Sequence, residues 1–570
     1  MQHVFPVYTQ EKECHDCYKC VRQCPVKAIR VIQERAYIVP ERCVACGRCV
    51  RVCPSGAKHV RSDLGRTRFL LNSPAPTYVS LAPSWAAVHP DWNEGQIVSA
   101  LRRLGFSGVG ETASGAEAVS TTLAEELAMA KPGLYISSAC PGVVDLVRKH
   151  FPDMTGNITP VASPALTHCR MLREQLGENI SVIFIGPCAA KKTEADENPE
   201  LMNLALTFAE LDEMLAEQSI HPERIIPGEE DVFLNGGARE GAVYPLEGGM
   251  IETLRHCGCP ESVQAQSISG LQRLKTSLER AHPEQFSAPF FLEGLACRGG
   301  CVNGPCSTDD PPPLEGIIAI RNRTHFSDRG SRSATRVGRE YTSLARGDAR
   351  FTDAEIRGAM ARVGKSTPDD ELNCGGCGYD TCRTFARALL SGDAETSMCA
   401  YYMRTIAQRK ANALFRCIPS GVFIVGTDLR IVESNAAFAG LFSDQITGQR
   451  EGNPGLAGED IENFMPCGAL LRAALRTGEE IRRECLKVGD RLFDVIIFSI
   501  ELHKMVGAII EDVTLNEMRR DQIARRAREV IKRNIATVQE IACRLGEHMA
   551  DTEILLNSIA EGYGDDPDDE

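Results

Sequence analysis

The stretch FLEGLACRGGCVNGPC, residues 291–306, ends an apolar run in two cysteines, Cys297 and Cys301, with glycines between them. Gly299 and Gly300 let the backbone come close to something bulky. Two other apolar runs end the same way: LYISSACPG sets Cys140 after Leu134–Ile136, and VIFIGPCAAKK sets Cys188 after Val182–Ile185. Open α/β sheets bind ligands beyond the carboxyl ends of their strands. Three strand ends carrying four thiolates therefore describe an iron–sulfur cluster held inside one domain. The alternative is four unrelated core cysteines, since free cysteine is commonly buried; the shared strand-then-cysteine placement argues against it.

Upstream, residues 1–60 hold CHDCYKCVRQCP and CVACGRCVRVCP. Each is the C-x2-C-x2-C-x3-C-P run of a two-cluster ferredoxin, in which the fourth cysteine serves the other cluster. Cys14, Cys17, Cys20 and Cys53 form one [4Fe–4S] ligand set on this reading; Cys43, Cys46, Cys49 and Cys24 form the second. Zinc knuckles are the rival, but zinc sites seldom use a doubled four-cysteine run with a trailing proline. Such clusters conduct electrons, and nothing in this segment is a catalytic acid or base.

The chain has 570 residues, a net charge of −14 and 24 cysteines. Its length suggests several domains. The charge argues against nucleic acid as the main partner. No apolar run approaches the roughly 20 residues of a membrane helix, and the start lacks the charged-then-apolar pattern of a signal peptide. The expected setting is cytoplasmic, without membrane, where metal sites are favoured over disulfides. Cys169, Cys257, Cys259, Cys306, Cys417, Cys467, Cys485 and Cys543 fall outside the clustered groups and read as ordinary small apolar residues.

After the linker Leu71–Thr77, residues 77–347 alternate short apolar runs with helical stretches, the pattern of an α/β domain with a partly parallel sheet. Pro311–Pro313 marks a surface excursion. Residues 351–412 contain LNCGGCGYDTC and a later cysteine, so Cys374, Cys377, Cys382 and Cys399 are candidate ligands of a small [4Fe–4S] domain, with zinc as the alternative. Residues 413–515 lose the clustered cysteines. GVFIVGTDLRIVESNAAFAGLF reads as strand, turn, strand and a helix starting at Asn435, with RLFDVIIFSI and KMVGAIIEDV as longer strands. Residues 516–560 read as one helix with a coiled-coil-like seam from Ile531 to Ile559 and a basic start. That seam serves a homodimer, another partner or the preceding domain. The acidic tail 561–570 reads as disordered. The fold class expected is multidomain, α/β and α+β.

SSACPG, GPCAAKKTE and EGLACRGGCVNG resemble the three cluster-binding motifs of [FeFe]-hydrogenases, over roughly residues 78–325 and with the ferredoxin module in front as in that family. The resemblance implies that Cys140, Cys188, Cys297 and Cys301 ligate the [4Fe–4S] part of an H-cluster. Cys301 would also bridge to a two-iron subsite carrying CO, cyanide and a dithiolate amine. It implies that Lys191 hydrogen-bonds a cyanide ligand and that Glu194 sits in the proton path. Lys191 and Glu194 are three apart and share one face of a helix; the alternative for Lys191, Lys192 and Glu194 is a solvated helix start. The 374–399 group resembles the small cluster domain of some corrinoid and electron-transfer proteins, and 413–515 resembles a PAS sensor domain.

Three departures from the family pattern stand out. The first motif has Ala139 where the family has a proton-relaying cysteine, and a methyl group has no exchangeable proton. Gly186 and Leu295 replace the usual methionines. The third motif's tail reads Asn303-Gly304-Pro305-Cys306. Ligands are kept while turnover machinery is weakened, which implies a sensor that binds or slowly turns over H2. Its partners would be H2 and protons, a ferredoxin-type carrier and a downstream kinase or phosphatase. A working ferredoxin-linked hydrogenase and a non-enzymatic Fe–S assembly or carrier protein are the alternatives.

Overall fold

A computed structural model describes residues 5–562 apart from 235, 238, 308–313, 327–334, 346, 348 and 443–455. Pro311–Pro313 and the acidic tail beyond Gly562 lie outside the described residues. The chain divides into two compact units, Met1–Met403 and Arg404–Glu570.

In the first unit, β1 (Val7–Thr9) pairs antiparallel with β4 (Lys58–Val60), and β2 (Ile29–Ile32) forms a hairpin with β3 (Arg35–Ile38). The buried Lys58 ties these pairs together: its Nζ donates to Ala36 O at 2.5 Å and to Thr9 Oγ1. The cysteine-rich turns between them use left-handed residues, Tyr18 at φ 53° and Ala45 at φ 49°, which wrap the chain tightly.

Beyond the linker, β5 (Thr77–Leu81), β6 (Gly108–Glu111), β8 (Ser181–Gly186) and β9 (Leu204–Thr207) form a sheet in the order β6-β5-β8-β9. A second sheet runs β10-β11-β7, from β7 (Gly133–Ile136), β10 (Gln264–Ser269) and β11 (Pro289–Leu295). All pairings in both are parallel. The single partly parallel sheet expected from the sequence is corrected to two parallel ones. Strands of this kind are apolar on both faces because helices cover both, and every residue of β8 and β9 is buried.

Helix Ala190–Glu197 is fixed from below by an ion cluster. Lys192 Nζ donates to Asp63 Oδ2 at 3.0 Å, Glu210 Oε2 at 2.8 Å and Ala205 O at 3.0 Å. Cysteine-bearing residues 374–399 belong to this same unit, with Lys27 Nζ donating to Gly378 O at 2.6 Å.

The second unit is an antiparallel sheet, β13-β12-β16-β15-β14, built from β12 (Gly421–Val425), β13 (Ile431–Ser434), β14 (Ile481–Val488), β15 (Arg491–Glu501) and β16 (Met505–Asp512). Phe423, Phe438, Phe442, Phe464 and Phe493 fill its core. Asn435 caps helix Ala436–Leu441 by accepting from Phe438 N at 2.9 Å, and its amide donates to Ser420 O at 2.9 Å. Cys467 is buried here, but Cys417 and Cys485 are exposed, correcting the expectation of core packing for both. Cys485 sits at a register break on the edge strand β14, and Cys417 ends helix Ala400–Cys417, which buries no side chain. Helix Thr514–Gly562 follows directly.

Candidate functional site

Three strand ends deliver the thiols. Cys140 follows β7 and caps helix Pro141–His150, whose first position suits a proline that has no N–H to satisfy. Cys188 lies between β8 and helix Ala190–Glu197. Cys297 and Cys301 bracket the turn leaving β11. A cavity of about 30 Å³ is lined by all four and by Cys46. A neighbouring cavity of about 110 Å³ is lined by Cys140, Cys188 and Cys301 together with Ala139, Lys191 and Glu293.

The glycines of the 297–306 loop serve a different purpose from the one their positions suggest. A Cβ at Gly300, φ 107°, would lie 2.1 Å from Pro245 O, and one at Gly304 would lie 2.3 Å from Pro187 O. They permit loop to pack on loop, which brings Cys301 beside Cys188.

Burial pushes the Cys188 thiol up to about 11, with Cys140 the next contributor, and raises Cys140, Cys297 and Cys301 as well. Thiols in such surroundings stay protonated until a cation is bound, and a metal cluster inverts that preference. Four converging thiols in apolar walls beside one ammonium fit a [4Fe–4S] cluster with an anionic neighbour. Among the described residues no three Cys, His, Asp or Glu side chains converge on a single-ion site; a cube carries its four thiolates on four separate irons.

Lys191, Lys192 and Glu194 are buried, at 8%, 0% and 6% exposure, which rules out the alternative of a solvated helix start. Lys191 Nζ donates to Glu194 Oε2 at 2.5 Å and to Ser163 Oγ at 3.0 Å while facing the larger cavity. Glu194 borders neither thiol cavity but a separate small one, which it shares with Thr193, Glu197, Arg148 and Tyr341.

Glu293 escaped the sequence reading. It is 1% exposed, its Oε1 accepts from Met250 N at 3.2 Å, and its Oε2 makes no hydrogen bond of normal geometry. Burial pushes its carboxyl up to about 7. The available signal was an acid placed inside the apolar run Phe290–Leu295, where an unpaired charge is costly.

Cys24, Cys43, Cys46 and Cys49 line one cavity. Cys14, Cys17 and Cys20 lie close enough to interact electrostatically. Cys53 Sγ hydrogen-bonds Ser55 Oγ at 3.5 Å, and no described contact joins it to those three. Cys377 interacts with Cys399 and Cys374, and Cys382 opens helix Cys382–Leu390 with its N–H held by Asn373 Oδ1 at 2.7 Å. Tyr379 feels both Cys377 and Cys24, and Cys46 feels both Cys24 and Cys188.

Residues 73–305 match the family model described as iron only hydrogenase large subunit, C-terminal domain. Residues 13–57 match a 4Fe-4S dicluster domain, and residues 370–401 an Fe-S cluster model. Iron hydrogenase 1 of Clostridium pasteurianum is 22% identical over 49% of this chain and 60% of its own length. The NADP-reducing hydrogenase subunit HndD of Solidesulfovibrio fructosivorans is 25% identical over 53% of this chain and 57% of its own. The chain thus spans about three fifths of the length of these relatives. A solved variant of the [FeFe]-hydrogenase HydA1 from Chlamydomonas reinhardtii covers 50% of this chain and 100% of that one at 18% identity and TM-score 0.41. Residues 73–305, which carry the three strand-end cysteine motifs, thus belong to the iron-only ([FeFe]-) hydrogenase large-subunit family, with the dicluster segment in front of them.

Proposed function

We propose that this chain is a sensory [FeFe]-hydrogenase, which binds H2 or turns it over slowly and passes the resulting redox state to another protein. The observation carrying this reading is Ala139, whose methyl lines the cavity where Cys140, Cys188, Cys301 and Lys191 meet. The thiols of Cys140, Cys188, Cys297 and Cys301 would hold the [4Fe–4S] part of an H-cluster, and that group supplies the splitting of H2 into protons and electrons. Lys191, neutralised on one side by Glu194, keeps an ammonium in the cavity and can donate to a compact anion there. Ala139 cannot hold or pass a proton, and the loss of such a group typically costs about 10²–10⁴-fold in rate. Electrons would leave through the sets led by Cys46, then Cys20, then Cys377, and residues 351–412 would form the outermost cluster domain.

Residues 413–515 would form a PAS domain that reports onward through the terminal helix. The five-stranded antiparallel sheet with a phenylalanine core supports this assignment. Infrared spectroscopy of the matured protein tests the whole reading: CO and cyanide bands that shift on adding H2 are expected, and a band-free protein would place it with the assembly factors. A second reading, an ordinary turnover hydrogenase served by a ferredoxin-type carrier, is favoured by Glu293, the one carboxyl lining the larger cavity.

A further inference from the structure

Helix Thr514–Gly562 has 49 residues, so at about 1.5 Å per residue it extends about 73 Å. Ile531, Ile535, Val538, Leu545, Met549 and Leu556 are each more than half exposed. Together with Ala542, Thr552 and Ile559 they recur at alternating steps of four and three through four heptads. A helix with such a seam owes its stability to packing rather than to intrinsic propensity, and an apolar patch of this extent marks an interaction site.

We propose that the seam is covered by the same helix of a second copy of this chain, running antiparallel. Two independent features choose both the occupant and the direction. The first is charge. Residues 514–533 carry seven Arg and Lys against three acids, whereas residues 540–562 carry five acids against one arginine. A parallel pair would set basic half on basic half; an antiparallel pair sets each on its opposite, with Lys532 near the partner's Glu553. The second is volume. Antiparallel packing layers Ala542 on the partner's Leu545, Ile535 on the partner's Thr552, Val538 on the partner's Met549 and Ile531 on the partner's Leu556. Small faces large in the central layers, as a close-packed core requires. Parallel packing would stack alanine on alanine at 542 and threonine on threonine at 552, leaving voids.

Light scattering and thiol cross-linking on the full chain test this. The wild type is expected at twice the 62.2 kDa chain mass, and Leu545→Asp, which changes a side chain exposed in the single copy, is expected to halve it. In a background of Cys417→Ser, Cys485→Ser and Cys543→Ser, which removes the exposed thiols of this unit, Ile535→Cys combined with Thr552→Cys is expected to cross-link two chains under mild anaerobic thiol oxidation. Neither single change should do so. A monomeric wild type, a dimer untouched by Leu545→Asp, a double variant that stays uncross-linked, or ready cross-linking by Ile535→Cys alone would each overturn the proposal. None of these readouts depends on cluster content, so their failure is separable from failure of the hydrogenase reading.

Discussion

Lys191 Nζ stands 2.5 Å from Glu194 Oε2, one turn along the same helix, and both side chains are withdrawn from water. The pair keeps a positive charge at the edge of the thiol cavity without leaving it uncompensated. Removing one partner of a buried pair strands the other, which costs about 3–5 kcal/mol, while replacing both is far milder. Glu194→Gln is therefore expected to lower the thermal midpoint clearly, and Lys191→Met combined with Glu194→Gln to recover most of the loss. Circular-dichroism melts of the cluster-loaded chains decide it; equal melting of the single and double variants would show that the pair does not act as a unit.

The next residue does a different job. Lys192 is fully buried between Asp63 and Glu210, joining the segment before the linker to the domain after it. Lys192→Met leaves two carboxylates without their cation, although Arg61 still reaches Asp63 at 3.1 Å. A destabilisation of about 3 kcal/mol or more is expected, read as a lower melting midpoint. An unchanged midpoint would mean that Arg61 suffices.

These adjacent lysines mark where sequence reading stops. The strand-then-cysteine placements were legible because a short apolar run followed by glycine or proline can be little else, and the doubled ferredoxin run is fixed by its spacing. What lies around a side chain is not local information. Asp63 is 129 positions from Lys192, so the sequence left a solvated helix start open as an alternative. Glu293 looked like one polar residue in a strand until the burial on both its faces was known. Cys417 and Cys485 read as core because cysteine usually is; an edge strand and an exposed helix end place them in water.

Glu111 gives the fold a pH dependence. Its carboxyl is wholly buried, accepts from Trp85 Nε1 at 3.3 Å and lies 3.2 Å from Arg323. Burial outweighs the arginine and holds its pKa up at about 7. A carboxyl whose pKa is raised by folding binds its proton more tightly in the native state. Its contribution is complete below the unfolded value of about 4.3 and is lost as pH climbs through about 7. Glu111→Gln has no proton to lose. Between about pH 5 and pH 8 the wild-type melting midpoint should fall more than that of the variant; parallel profiles would remove Glu111 from the account.

The Cys374–Cys399 set can be tested apart from the cavity. Cys399 immediately precedes helix Ala400–Cys417 and lies beside Cys377. Cys399→Ser should remove one [4Fe–4S] signal from the electron paramagnetic resonance spectrum and about four irons per chain, with the infrared bands of the inner site retained. Loss of the inner bands as well would mean that the set is structural and not a separate relay.

The strongest demand falls on the cavity that Ala139 and Glu293 share. If proton movement limits turnover, a protic group at either position controls the rate. Ala139→Cys supplies a thiol directly beside Cys140 and is expected to raise H2 oxidation by about 10²-fold or more. Glu293→Gln keeps the shape and removes the exchangeable carboxyl proton, so residual turnover should drop by about 10²-fold. The combination separates a common route from two. If Glu293 alone carries protons past the alanine, the added thiol makes it dispensable, and the double variant should run near the rate of Ala139→Cys alone. If the thiol must hand its proton to Glu293, the double variant should be as slow as Glu293→Gln. Equal infrared band intensity across the four proteins establishes equal loading. With that control in place, four identical rates would mean that neither side chain touches the proton's path.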